Sequence, residues 1–289
     1  MSAFRSSPIL RLCRSTRWPT VQNYAQRRWS SSEASTSPKV DGPAQTETNK
    51  AEITMKRFWK EVGIGKKGDD FTVTLDKRAL KTPSGNTLLL PSNKGLVAAL
   101  IAAEWDHQET LLKPHALPMT SIVSRAIDSL AEDSTRQEVE KTLLNYLETD
   151  TVCFFHDDPE PLHRLQTKYW VPLIDWARSA LGLEIAVSNS VLSPNQPRKT
   201  IEEASKLIRA LDRWELAALE RATIATKSLI IGLALVKKHL TVEGAALAAS
   251  VEVDSQIERW GEVEDTHDVD YQDVRRQLGS AALLLSKQS

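Results

Sequence analysis

The chain has 289 residues, of which 41% are hydrophobic and 26% are charged, and its formal net charge is −1. These values are typical of a globular protein, and two cysteines are too few for a disulfide framework or a cysteine metal cage. Residues 1–32 hold six arginines and no acid, so the remainder carries a charge of −7, which argues against broad nucleic-acid binding. Residues 228–236, the most apolar stretch, are about half as long as a membrane span, so no membrane insertion is expected.

The N-terminal segment has the composition of an organelle transit peptide. Residues 1–29 are rich in arginine and serine, contain no acid, and lack the uninterrupted apolar core that a secretory signal needs. We therefore predict a mitochondrial targeting sequence at residues 1–29, a disordered linker at residues 30–51, and a mature protein in the mitochondrial matrix. The alternative is a basic arm that binds nucleic acid, but the interleaved aromatic and Lys/Arg runs of such arms are missing.

Residues 52–133 are predicted to form a small mixed α/β domain. Apolar residues and threonines alternate over residues 71–75, which predicts a half-buried strand. Residues 87–90 predict the next strand, and the turn residues between the strands indicate a short antiparallel meander of three or four strands. A helix that starts near Ser92 or Asn93 would cover this sheet.

Residues 134–265 are predicted to form an all-helical domain, followed by an acidic C-terminal extension at residues 266–289. Capping patterns predict helix starts at Ser134, Thr200 and Asp212. The clearest apolar period lies between Leu162 and Gly182, with a kink expected at Pro172.

Two more helical stretches complete the pattern. Residues 213–239 are predicted to be helical, with a break near Ala222 or Gly232. Thr241 is predicted to cap a last long helix that runs through Gly261. The fold class is therefore α+β, with a small α/β unit followed by helices.

The sequence offers no strong catalytic or metal motif. The glycines of residues 63–68 lack P-loop spacing and lead into a strand, which favours a hairpin turn. His156, Asp157, Asp158 and His163 lie close in sequence, but prolines hold the segment open, which favours a loop over a metal site. Cys153 lies among apolar residues and is interpreted as a core residue. We therefore expect no catalytic residue, cofactor or metal site, although active sites assembled from scattered residues leave a matrix enzyme as an alternative.

Other features indicate an interaction surface. Trp105, next to Glu104, and Trp260 are tryptophans surrounded by polar residues, a setting that suits either a protein interface or a ring buried between domains. Glu252, Gln256 and Trp260 recur at a spacing of four, so they share one face of the last predicted helix. That face lies in a strongly acidic region, which is most often simply solvated but which a partner could also recognise.

Seven short motifs in one order resemble a known family over residues 56–265. They are Leu75-Asp-Lys-Arg-Ala-Leu-Lys-Thr-Pro83, Glu104-Trp-Asp-His-Gln108, Leu117-Pro-Met-Thr120 with Ala126-Ile-Asp128, Tyr146-x-x-Thr-Asp150, Trp170-x-Pro-x-x-x-Trp176, Thr226-Lys-Ser-Leu229 and Glu252-x-x-x-Gln256-x-x-x-Trp-Gly261. Together they are similar to the mitochondrial F1-ATPase assembly chaperones that handle the alpha subunit.

The resemblance implies a chaperone without enzymatic activity. Such a protein binds the free F1 alpha subunit, shields the surface that a beta subunit later covers, and hands the alpha subunit on during assembly. The functional acidic residue of the family falls on Glu252, and the client-binding set that we predict is Glu252, Gln256, Trp260, Glu104 and Trp105. The free protein is expected to be monomeric. A permanent subunit of a matrix complex is the third alternative.

Overall fold

The computed structural model describes residues 56–190 and 196–287. The predicted targeting sequence and linker lie outside these residues. Within them, a three-stranded antiparallel sheet is followed by a series of helices, which confirms the predicted α+β class.

The sheet has the order β1-β2-β3, with β1 at Val62–Lys67, β2 at Asp70–Leu75 and β3 at Arg78–Ala79. β1 pairs with β2 so that Val62 lies opposite Leu75 and Lys67 opposite Asp70. The alternation predicted for residues 71–75 is confirmed: Val73 and Leu75 are buried in the core. A short turn at Asp76 and Lys77, both with positive φ, joins β2 to β3.

Ten α-helices follow within the described residues. They are α1 (Gly95–Asp106), α2 (Pro118–Asp128), α3 (Asp133–Glu148), α4 (Glu160–Leu181), α5 (Arg198–Arg209), α6 (Arg213–Thr226), α7 (Leu229–Val236), α8 (Val242–Ala249), α9 (Val251–Trp260) and α10 (Thr266–Leu284). A short 3₁₀ turn at Ser92–Lys94 precedes α1, and two more, at Pro114–Ala116 and Thr151–Cys153, lie between helices.

One hydrophobic core connects the sheet with the helices. Its buried side chains extend from Trp59 to Leu285 without a break between the β and the helical regions. α7 lies at the centre, because every one of its residues is buried, while α1 packs on β1 and β2. The predicted boundary between two domains at residues 133 and 134 stays a prediction, and the buried side chains on its two sides belong to one core.

Several helix boundaries confirm the sequence patterns. Asp212 caps α6 as half of a complete capping box with Glu215, and Thr241 caps α8 through the backbone N–H of Gly244. Gly182 ends α4 in the left-handed conformation with φ of 67°. Pro172 lies inside α4, which continues past it.

Other boundaries differ from the predictions. α3 begins at Asp133 without a side-chain cap, so the box predicted at Ser134 is wrong. α5 begins at Arg198, and the Thr200 hydroxyl instead donates to the backbone oxygen of Glu184 at 2.9 Å. The Thr200 hydroxyl, which the pattern assigned as an acceptor for the helix N-terminus, is thus used in a tertiary contact.

The break within residues 213–239 falls at Lys227 and Ser228, not at Ala222 or Gly232. Lys227 adopts the left-handed conformation, with φ of 55°, and Ser228 then caps α7. Gly232 instead permits close packing of α7 on α6, because a Cβ there would lie 2.6 Å from Thr223 Oγ1.

The sheet and the C-terminal region also differ from the predictions. Gly63 and Gly65 lie within strand β1, and the turn is at Gly68, with φ of 65°. Residues 87–90 make only isolated bridges, so the fourth strand is absent from the described residues. The last predicted helix is divided between α8 and α9 at Ser250, and within the predicted acidic extension α10 packs against α6, α2 and α8.

Candidate functional site

Helix α9 carries the exposed face that the sequence predicted. Val251 and Ser255 are buried, whereas Glu252, Gln256 and Trp260 are exposed on another side of the helix. The Trp260 side chain is 70% exposed. The structure therefore brings these three side chains together on one solvent-facing stripe.

Contacts on the other sides of α9 fix its backbone. Arg164 of α4 donates from one terminal nitrogen to both carboxylate oxygens of Glu258, at 2.8 and 2.6 Å. Asp254 accepts a hydrogen bond from the Ser250 hydroxyl at 3.1 Å, and burial raises the pKa of this carboxyl. At the end of α8, the buried Trp170 indole donates to the backbone oxygen of Ala248 at 2.7 Å.

The stripe itself has few partners inside the chain. Within the described residues, the side chains of Glu252 and Gln256 form no hydrogen bond or ion pair. The guanidinium of Arg259 lies over the Trp260 ring, 5.0 Å from its centroid. A carboxylate, an amide and an indole are thus presented to solvent from an anchored helix, which is suitable for reading a polar and apolar surface on a partner.

Glu104 and Trp105 have a different environment. The Glu104 carboxylate accepts the backbone N–H groups of Met119 at 2.6 Å and Thr120 at 2.9 Å, and the Thr120 hydroxyl at 2.7 Å. Met119 and Thr120 are in the first turn of α2, where backbone N–H groups have no partner within the helix. Burial raises the pKa of Glu104, and these hydrogen bonds oppose that shift.

Trp105 completes the same junction. Its indole N–H donates to Thr120 Oγ1 at 3.0 Å, and its ring centroid lies 5.0 Å from that of Trp59. Arg57 adds a hydrogen bond to the backbone oxygen of Asp106 at 2.9 Å. These side chains join α1 to α2, whereas the stripe of α9 belongs to a helix that packs on α4 and α8. The five predicted residues therefore lie in two separate environments.

A third carboxylate is Asp150, which the sequence analysis named only as part of a motif and not as a site residue. It is fully buried and accepts the backbone N–H groups of Val152 at 3.1 Å and Ile230 at 3.0 Å. Burial raises its pKa to about 6, against the opposing effect of these hydrogen bonds and of Ser228. It caps both a 3₁₀ turn and the start of α7, and it thereby connects two parts of the core.

The described residues do not form the metal or cysteine site that the sequence analysis considered. Among the described residues, no group of three or more His, Cys, Asp and Glu side chains is arranged to hold a metal ion. Cys153 is buried, as expected of a core residue, and burial raises the pKa of its thiol. No helix in the same part of the chain is long and apolar enough to cross a membrane.

Comparison with known proteins identifies the relatives of this chain. Residues 56–178 match the model of the family described as ATP12 chaperone protein. The mitochondrial protein atp12 of Schizosaccharomyces pombe is 34% identical, over 80% of this chain and 82% of its own length. The mitochondrial protein ATP12 of Saccharomyces cerevisiae is 32% identical, over 86% of this chain and 89% of its own length.

A solved structure agrees with these matches. The crystal structure of Atp12 from Paracoccus denitrificans superposes with a TM-score of 0.70 at 29% identity, covering 81% of this chain and 98% of that chain. Sequence and fold thus point to the same relatives over most of the chain. This chain belongs to the ATP12 chaperone family, a family of chaperones and not of enzymes.

Proposed function

We propose that this protein is an assembly chaperone of the F1-ATPase that binds the free alpha subunit in the mitochondrial matrix. It shields the subunit interface of the alpha subunit and hands the subunit to beta as F1 assembles. Membership of a chaperone family with mitochondrial relatives supports this proposal, together with the arginine-rich, acid-free residues 1–29.

The physical task requires an interface of moderate strength. An unassembled subunit exposes an apolar surface that would otherwise aggregate, and its chaperone must cover that surface yet give way to the permanent partner. Charged groups contribute specificity and association rate more than affinity, so a small surface of mixed polarity suits this task. We propose that the free chaperone is a monomer.

The single observation that carries the proposal is the exposed stripe of α9. Glu252 is a carboxylate without an internal partner in the described part of the chain, and it lies two helical turns from the exposed indole of Trp260, with Gln256 between them. We assign client binding to this stripe, within residues 134–265, with Glu252 placed to pair with a Lys or Arg of the client. Glu104 and Trp105 are already hydrogen-bonded, so we assign them the role of positioning α2.

The test is a charge reversal on the stripe. We expect Glu252→Lys to weaken capture of purified F1 alpha subunit by about tenfold, because attraction to a basic client residue becomes repulsion. The thermal midpoint should fall only slightly, because Glu252 is exposed and forms no hydrogen bond or ion pair within the described residues, while a lysine in the first turn of α9 is mildly unfavourable. Binding of alpha subunit is measured by pull-down at several client concentrations.

Glu138→Lys is the matched control, because Glu138 is also an exposed helical glutamate and is in α3. This variant should capture the alpha subunit as the wild type does. Equal capture by Glu252→Lys and wild type would refute the assignment of the stripe. Capture of beta but not of alpha subunit by the wild type would refute the proposed client.

A further inference from the structure

The outer edge of β1 has backbone groups that find no partner among residues 56–190 and 196–287. In β2, Phe71 exchanges both backbone hydrogen bonds with Leu90, at 2.8 and 2.9 Å, and the Val73 oxygen accepts from Leu80 N–H at 2.8 Å. The backbone N–H and C=O groups of Phe71 and Val73 are therefore directed away from β1. Because backbone direction alternates along an antiparallel strand, Thr72 and Thr74 are the β2 residues that bond to β1.

The register of β1 with β2 then shows which β1 residues direct their backbone N–H and C=O groups toward β2 and which direct them outward. Gly65 lies opposite Thr72 and Gly63 opposite Thr74, so the glycines use their backbone groups within the sheet. The intervening residues, Val62, Ile64 and Lys66, direct their N–H and C=O groups outward. Nothing in the described part of the chain bonds to these outward groups.

The edge is also sterically open. The Ile64 side chain is 48% exposed, and a Cβ at Gly65 would make only ordinary contacts, the nearest at 3.5 Å. The fold itself therefore does not require glycine at position 65. Exposed edges are commonly protected by charges, prolines or bulges, but here Lys66 and Lys67 are confined to one end.

We propose that the outer edge of β1 binds an extended peptide segment of another protein, which adds as an antiparallel fourth strand. Alternating N–H and C=O groups along an open edge are complementary to an extended polypeptide backbone. The segment would place an apolar side chain beside Ile64. It would carry acidic residues near its own N-terminus, opposite Lys66 and Lys67, which form no ion pair among the described residues.

A second copy of this chain fits the edge less well. A two-fold axis at Ile64 would pair Val62 with Lys66 of the other copy, so self-pairing satisfies the backbone groups. It would, however, place Lys66 beside Val62 of the other copy and not beside an acidic side chain. An extended segment with side chains chosen to match Ile64 and the lysines is therefore the occupant that we infer.

N-methylated peptides test the backbone pairing directly. The probe is a fluorescein-labelled peptide of about ten residues, with two N-terminal glutamates followed by alternating valine and threonine, and its binding to the full chain is followed by fluorescence anisotropy. N-methylation of every second residue removes the N–H groups on one edge of the bound strand. We expect one alternate set to weaken binding at least about tenfold and the other to leave it within about threefold.

Substitution of Ile64 tests the same pairing from the protein side. Ile64→Pro removes an outward N–H but no hydrogen bond to β2, so the sheet should be retained while peptide binding falls at least about tenfold. Ile64→Val is the control that keeps the N–H. Circular dichroism and the thermal midpoint show whether Ile64→Pro is folded; if it is not, the N-methylated peptides alone decide.

Four results would overturn the proposal. They are absence of binding at about 1 mM peptide, equal binding of both N-methylated sets, equal binding by wild type and folded Ile64→Pro, and a concentration-dependent dimer that excludes the peptide. Glu252→Lys should bind the peptide as wild type does, because α9 and β1 are separate elements. Failure of the edge proposal would therefore leave the proposed function of α9 intact, and the reverse also holds.

Discussion

The α1–α2 junction and the α9 stripe present the same kinds of side chain in opposite roles. Each pairs a glutamate with a tryptophan: Glu104 with Trp105, and Glu252 with Trp260. At the junction the carboxylate accepts three hydrogen bonds and the indole donates one, all within the chain. On α9 the carboxylate has no internal partner in the described residues and the indole is 70% exposed.

This difference shows that residue type is a weaker guide to function than hydrogen-bond satisfaction. A carboxylate that already accepts hydrogen bonds from backbone N–H groups would have to break those bonds to bind a partner, which would make the folded chain less stable. A carboxylate without a partner in the chain loses only its hydration water when it binds a partner. Substitutions at the junction should therefore lower stability, and substitutions on the stripe should lower binding.

The largest expected effect is that of Glu104→Ala. It leaves the N–H groups of Met119 and Thr120 at the start of α2 without their acceptor, which should lower the free energy of unfolding by about 2–4 kcal/mol. Urea unfolding followed by circular dichroism measures this change. Glu109→Ala is the control, because Glu109 is exposed just beyond the same helix and should change stability by less than about 0.5 kcal/mol. Similar unfolding midpoints for the two variants would contradict the distinction between junction and stripe.

A second test uses the pH dependence of Asp150, the most buried of the capping carboxylates. Its pKa is raised from 3.8 to about 6, so in this interval the folded protein binds the proton more tightly than the unfolded chain does. The stability that the protonated carboxyl contributes is present below pH 3.8 and is lost as the pH rises through about 6.

We therefore expect the free energy of unfolding of the wild type, relative to Asp150→Asn, to fall between pH 4 and pH 6, by at most about 1.4 kcal/mol per pH unit. Subtracting the variant removes the contribution of the other carboxylates. Urea unfolding of both proteins at several pH values measures the difference. A difference that is constant over this interval would show that Asp150 ionises as it does in the unfolded chain.

The sequence predicts most of the fold where local patterns and tertiary contacts agree. The alternation around Val73 and the capping box at Asp212 were confirmed because the strand pairing and the hydrogen bonds that they need are local. α10 was missed because its first turns are acidic, and its buried residues, Leu278, Ala281 and Leu284, come only at the end. The break at Lys227 was missed because a lysine in the left-handed conformation has no composition signal.

The same distinction between local patterns and tertiary contacts applies to the candidate site. The exposure of Glu252 and Trp260 follows from helical spacing, so the sequence could predict it. The satisfaction of Glu104 depends on donors fifteen residues away, at the start of another helix. Pro118, at the first position of α2, was the available signal, because it marks a helix start whose N–H groups need an acceptor. The burial of Asp150 depends on α7, eighty residues away in sequence, and no local pattern reports it.

The smallest expected effect on stability, and the sharpest contrast with Glu104→Ala, is that of Trp260→Ala. The free energy of unfolding should change by less than about 0.5 kcal/mol, because the ring is mostly exposed and the contact recorded for it in the described residues is a cation–π contact with the neighbouring Arg259. The affinity for alpha subunit should fall at least about tenfold if this indole anchors the client. Phe58→Ala is the matched control, since Phe58 is 74% exposed and precedes the sheet. Equal loss of affinity in both variants would mean that the client recognises exposed aromatic rings in general, and the stripe of α9 would then have no specific role.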